Sequence, residues 1–131
     1  MSTLEIAGLN LDISWKNKEQ NYKQIEEEFS SVEADLFLLP EMFSTGFCME
    51  ADEVADRNLE TLTWMKSFAK RKNSAFAGSV SVEENGKFYN RFYFVFPDES
   101  FEYYEKGHLF SYSGEDKIYT AGTNRKIIDY K

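Results

Sequence analysis

The segment LFLLPEMFSTGF, residues 36–47, constrains the fold more than any other part of the chain. Four apolar residues run without interruption after Asp35, and Pro40 stops them. A strand that is apolar on both faces of its pleat must be covered on both faces, which is the situation of a parallel strand inside an α/β sheet. The residue after the proline is a carboxylate, Glu41, and aromatic and small residues follow where an ordinary turn carries Gly, Asn or Asp. In open α/β sheets ligands bind beyond the carboxyl ends of the strands. Glu41 stands at such an end.

The rest of the chain has the matching pattern. Residues 4–11 (LEIAGLNL) read as a buried first strand. Asn17 can cap a helix running to about residue 31, with Tyr22, Ile25, Phe29 and Val32 along one face. Residues 35–39 are the second strand. Asp56 can cap a second helix through residue 72, with Leu59, Leu62, Met65, Phe68 and Ala69 on its apolar stripe. Its last turn holds Lys70, Arg71 and Lys72, where cations suit the helix dipole. Residues 75–82 form a third strand, and ENGK at 84–87 is a hairpin turn with the favoured Asn-Gly pair. Strands over 88–96 and 101–106 follow, separated by a turn at 97–100, and 125–130 begins one more strand. The order β-α-β-α-β-β-β is α/β, a parallel start followed by an antiparallel meander.

At 131 residues this is one domain, and a hydrophobic content of 42% with 17% aromatics argues for a folded globule. A net charge of −8 disfavours nucleic acid and anionic membrane as partners, since both require a basic footprint. Glu5 interrupts the first apolar stretch, so no signal peptide is expected, and no run reaches transmembrane length. A lone cysteine, Cys48, cannot make an internal disulfide and suits a reducing compartment; the expected location is cytoplasmic.

Lys106 also ends a strand, and the loop it opens carries His108, Phe110, Tyr112 and Glu115. Opposite charges at strand ends can share one pocket and tune each other. The plainer alternative is that each is a solvated charge at a strand terminus.

PEMFSTGF and YEKGHLFSYSGEDKIYTAG together resemble the nitrilase superfamily of carbon–nitrogen hydrolases, and within it the omega-amidase-like branch. Pro40-Glu41 matches the first family motif, and Lys106 with His108-Leu109-Phe110 matches the second. The resemblance implies the N-terminal half of a four-layer αββα sandwich. It also implies a cysteine amidase that cleaves a small carboxylic or keto-acid amide to acid and ammonia through a thioester. Within it Glu41 would be the general base, Lys106 the oxyanion stabiliser and Glu115 the second glutamate that positions the lysine and substrate. Phe43 and His108 would lie near the substrate. The family's nucleophile follows a stretch like RKIIDYK, so residues 1–131 would be a carbon–nitrogen hydrolase domain cut before its cysteine strand, inactive alone.

Cys48 lies in the loop of Glu41 itself and reads as a small buried hydrophobe rather than the nucleophile. His108 is the only histidine; a hydrogen-bonded loop residue is as good a reading as substrate contact. One Cys and one His cannot make a zinc site, and Asp52, Glu53 and Asp56 lack the EF-hand pattern. With no glycine-rich phosphate loop either, neither metal nor cofactor is expected. The expected partners are a small amide and a second copy of the chain, associating through an uncovered sheet face. A non-catalytic α/β fragment or degenerate relative, acting only by association, is the alternative.

Overall fold

In the computed structural model, which describes residues 3–131, the first helix begins where the sequence pattern puts it. The Asn17 side chain accepts the Gln20 N–H at 3.1 Å and starts α1 (Lys18–Phe29). Tyr22, Ile25 and Phe29 form its buried stripe. A second, single-turn helix that the sequence pattern does not reveal, α2 (Ala51–Val54), follows the Glu41 loop.

The long helix α3 (Glu60–Lys72) starts four residues later than the expected Asp56 cap. The backbone of Asp56 is occupied by the sheet, its N–H donating to Ser81 O and its O accepting from Glu83 N. Its side chain still serves the helix, accepting the Thr61 N–H at 2.8 Å. This carboxylate is buried, and Lys18 Nζ stands 2.6 Å from it.

Five strands form one sheet: β1 (Ile6–Gly8), β2 (Leu36–Leu38), β3 (Ala75–Glu84), β4 (Lys87–Val95) and β5 (Phe101–Glu105), side by side in chain order. The β1–β2 and β2–β3 pairs are parallel, and the β3–β4 and β4–β5 pairs are antiparallel. Asn85 and Gly86 turn the hairpin between β3 and β4 with φ of 53° and 78°, the left-handed pair of a type I′ turn. A 3-10 turn (Ser111–Ser113) and a short helix, α4 (Glu115–Ile118), complete the described elements.

Helices α1 and α3 cover one face of the sheet. Phe37, Phe76, Val80, Val82, Tyr93 and Val95 pack there against Ile25, Phe29, Met65 and Phe68. The opposite face carries Leu36, Ala75, Ala77 and Phe94, with Ile128 and Tyr130 of the last segment laid across them. Further expectations need correction. Leu59, expected on the apolar stripe of α3, precedes that helix and is exposed. The first strand is three residues, not eight, and it is an edge strand on which Ile6 is half exposed. Residues 125–130 join no ladder; the Tyr130 hydroxyl donates to Asp35 O at 2.9 Å instead. No helix among the described residues is long and apolar enough to cross a membrane.

Candidate active site

The loop after β2 is held on three sides. Met42 N–H donates to Ser79 Oγ at 2.9 Å, and Asn21 Nδ2 of α1 donates to Ser44 O at 2.8 Å. Lys16 N–H donates to Thr45 O at 2.8 Å. Met42 itself takes φ of 47°, a left-handed conformation that costs a non-glycine residue on the order of 1 kcal/mol or more. That strain sits one residue beyond Glu41. Beneath the loop, Gly78 has no room for a side chain: a Cβ there would lie 2.9 Å from both Leu39 Cβ and Phe43 Cδ1. The close approach of Leu39 and Phe43 to β3 seats the loop on the sheet.

Three charged groups converge above this platform. Lys106 Nζ donates to Glu41 Oε2 at 2.8 Å and to Glu115 Oε1 at 2.9 Å. Glu115 is fully buried and also accepts the Phe110 N–H at 2.7 Å. Between the carboxylates stands Asn90 of β4, whose Nδ2 donates to Glu41 Oε2 at 2.7 Å and to Glu115 Oε2 at 3.0 Å. The Phe47 ring lies 5.3 Å from Lys106 Nζ, within cation–π reach.

The two glutamates are not equivalent. Burial alone would raise the Glu115 carboxyl, but the donors Phe110 N–H, Asn90 and Lys106 outweigh it and hold its pKa below the ordinary carboxylate range. Burial likewise works against the Lys106 ammonium, and its hydrogen bonds to Glu41 and Glu115 reverse that and hold its pKa above the usual lysine value. Glu41 keeps 47% of its side chain exposed, against none for Glu115. Glu115 is therefore an ionised anchor, and Glu41 is the carboxylate open to a ligand.

The opening is a cavity of about 340 Å³, with Glu41, Asn90 and Lys106 at its polar end and Leu39, Phe92 and Tyr104 as apolar walls. A larger hollow of about 570 Å³ lies along β5 beside residues 121–126. It contains none of the three converging charges, and convergent polar groups decide the assignment better than volume does.

A family model described as carbon-nitrogen hydrolase matches residues 5–129. The chain belongs to the carbon–nitrogen hydrolase family. An omega-amidase (YafV) of Yersinia enterocolitica is 34% identical to it over 132 residues, covering 100% of this chain and 52% of the relative. A 2-oxoglutaramate amidase of Bacillus subtilis (strain 168) is 34% identical over 124 residues, covering 90% of this chain and 48% of that protein. Among solved structures, the CN-hydrolase superfamily protein XC1258 from Xanthomonas campestris, which carries an arsenic adduct in its active site, superposes with a TM-score of 0.94 at 30% identity. That match takes in 100% of this chain and 51% of the other. The chain thus spans about half the length of the relatives it matches. Its mixed sheet is the corresponding half of the carbon–nitrogen hydrolase architecture.

Of the residues the sequence singles out, Glu41, Lys106 and Glu115 come together within hydrogen-bonding distance of one ammonium. Phe43 does not reach the cavity; it is fully buried in the helix-side core. His108 is exposed, and no hydrogen bond among the described residues joins it to the three charges. Cys48 is fully buried outside the lining of the cavity, under the Tyr119 hydroxyl that donates to its backbone O at 2.8 Å. Asn90 and Phe47 are the neighbours that sequence reasoning missed. The available signal for Asn90 was a carboxamide interrupting the aromatic strand KFYNRFYFV.

Proposed function

We propose that this chain supplies the acid–base and oxyanion groups of an amidase acting on a small carboxylic or keto-acid amide. The observation that carries the reading is one ammonium, Lys106, held between an open carboxylate and a buried one at the mouth of a cavity. Glu41 takes the proton of a thiol, and the thiolate attacks the amide carbon. Lys106 faces the oxygen on which negative charge grows, where a fixed cation in a site shielded from water stabilises the transition state most. As the C–N bond breaks, Glu41 returns its proton to the leaving amine, and ammonia departs. Water, activated by the same carboxylate, then hydrolyses the thioester to the acid. Glu115 keeps Lys106 charged and aimed.

On this reading the thiol is supplied by the half of the family architecture that these 131 residues do not span. Cys48 is a poor candidate because it is fully buried and does not line the cavity. Relatives whose names specify omega-amides favour a dicarboxylate monoamide as substrate. The test compares this chain with the complete polypeptide that contains it, assaying ammonia release from 2-oxoglutaramate. The complete protein should turn over and lose activity in Glu41→Gln and Lys106→Met. The 131-residue chain should be inactive, and Cys48→Ala should leave the complete protein active. Turnover by the short chain that Cys48→Ala abolishes would refute the assignment of the nucleophile.

A further inference from the structure

We propose that Asn90 is a positioning residue of this site: its carboxamide fixes Glu41 in place against Glu115 by donating one N–H to each carboxylate. The inference rests on the reading of Glu41 as the base. Its geometry stands by itself: one Nδ2 lies 2.7 Å from Glu41 Oε2 and 3.0 Å from Glu115 Oε2. Each carboxylate also reaches Lys106, so four polar groups from four segments of the chain close one ring.

The orientation of the amide follows from its neighbours. Reversing it would turn the Oδ1 lone pairs toward two carboxylates, so only the NH₂ end can face them. The consequence appears on the other side of the group. Asn90 is 2% exposed, and its Oδ1 has no hydrogen-bond partner among the described residues. A buried acceptor left bare is costly, and a strand position chosen for stability alone would carry an apolar residue such as the flanking aromatics. The residue is tolerated for what its NH₂ does.

What it does is separate two like charges. Two carboxylates in one site repel each other, which disfavours ionisation of both, and a single shared ammonium offsets only part of that repulsion. A neutral double donor placed between them favours the charged form of both without adding a charge of its own. The other titratable groups around Glu41 are Tyr104 of β5, Lys106 just after it and Glu115 of α4; the β2 and β3 side of the cavity contributes Leu39 and Ser79, which do not titrate. Glu115 is held below the ordinary carboxylate range and Lys106 above the usual lysine value, so both keep their charge at neutral pH.

The experiment is the pH dependence of kcat/KM for 2-oxoglutaramate, using the complete polypeptide, its Asn90→Ala and Asn90→Asp variants, and Glu41→Gln. Loss of a donor makes the ionised base less favourable and raises its pKa. The acid limb should therefore move to higher pH by about one unit in Asn90→Ala, and further in the near-isosteric Asn90→Asp, where a third acid faces the pair. KM should change less than kcat. A fall in kcat with the acid limb unmoved would overturn the inference, as would loss of folding in both variants, since Asn90 would then act on stability alone. The two levels fail separately: an active Glu41→Gln sinks the base assignment, whereas an inactive Glu41→Gln with an unshifted Asn90→Ala limb sinks only the role of Asn90.

Discussion

Replacing Lys106 with methionine keeps a flexible chain of similar length and removes the charge that joins Glu41 to Glu115. The magnitude follows from the exposure of each partner. The pair with Glu41, at 2.8 Å, has one carboxylate half exposed, and such pairs contribute roughly 0.2–1 kcal/mol. The hydrogen bond to Glu115, at 2.9 Å, reaches a carboxylate with no exposed surface, and a charged hydrogen bond of that kind contributes about 1.5–3 kcal/mol. Lys106→Met should therefore lower stability at pH 7 by about 2–4 kcal/mol, a large part of the roughly 5–15 kcal/mol typical of a domain. Urea unfolding should show a lower midpoint at unchanged slope. The pH dependence gives the sharper check. Glu115 is depressed in the folded state, so its contribution is complete above the ordinary glutamate pKa and fades as pH falls through its folded value. Lys106 is raised, so its contribution is complete below the ordinary lysine pKa and fades as pH rises through its folded value. The gap between Lys106→Met and the parent should be widest between about pH 5 and pH 10 and should narrow at both extremes. A gap of the same size at pH 3 and pH 7, or none at pH 7, would show that charge coupling does not hold this site together.

Ser79→Ala should lower the melting temperature, because the Met42 N–H loses its only side-chain acceptor in a buried loop, a penalty of about 1–3 kcal/mol. Gly78→Ala should cost about 1–3 kcal/mol by thermal melting, since the new methyl meets Leu39 and Phe43 at 2.9 Å and must push the Glu41 loop off the sheet; an unchanged melt would mean the loop is not seated by that contact. The 131-residue chain should self-associate in sedimentation runs, because β1 is an open edge with Ile6 exposed, and Leu38 of the neighbouring β2 is an exposed apolar residue beside it. A cooperatively melting monomer that binds no hydrophobic dye would contradict this.

Much of the fold was legible because its signals are local. Asn17 caps the first helix, Asn85-Gly86 turns the hairpin, and the unbroken apolar run at 36–39 marks a parallel strand, although its Leu38 stays exposed rather than covered. Residues 125–130 show why a pattern is not a ladder. Ile128 and Tyr130 point to the sheet while Ile127 and Asp129 point away, which is the period of a strand, yet backbone pairing requires a neighbour that the pattern cannot specify. The one-turn helices Ala51–Val54 and Glu115–Ile118 are too short for periodicity to reveal. In the site, Glu41 and Lys106 were legible because each is a charge just beyond a strand end, whereas Glu115, in the short helix after the Lys106 loop, was reached only through the family resemblance. Asn90 was not legible, because its importance lies in contacts spanning 49 residues to Glu41 and 25 to Glu115.

The central claim is that this chain holds the base and the oxyanion cation while the thiol comes from outside it. Mass spectrometry of the complete polypeptide, quenched in acid during turnover of 2-oxoglutaramate and then digested, tests it most directly. The account predicts an acyl adduct on a cysteine beyond these 131 residues, with the Cys48 peptide unmodified, and greater adduct loss in Glu41→Gln than in any variant remote from the cavity. An acyl group on the Cys48 peptide would contradict it.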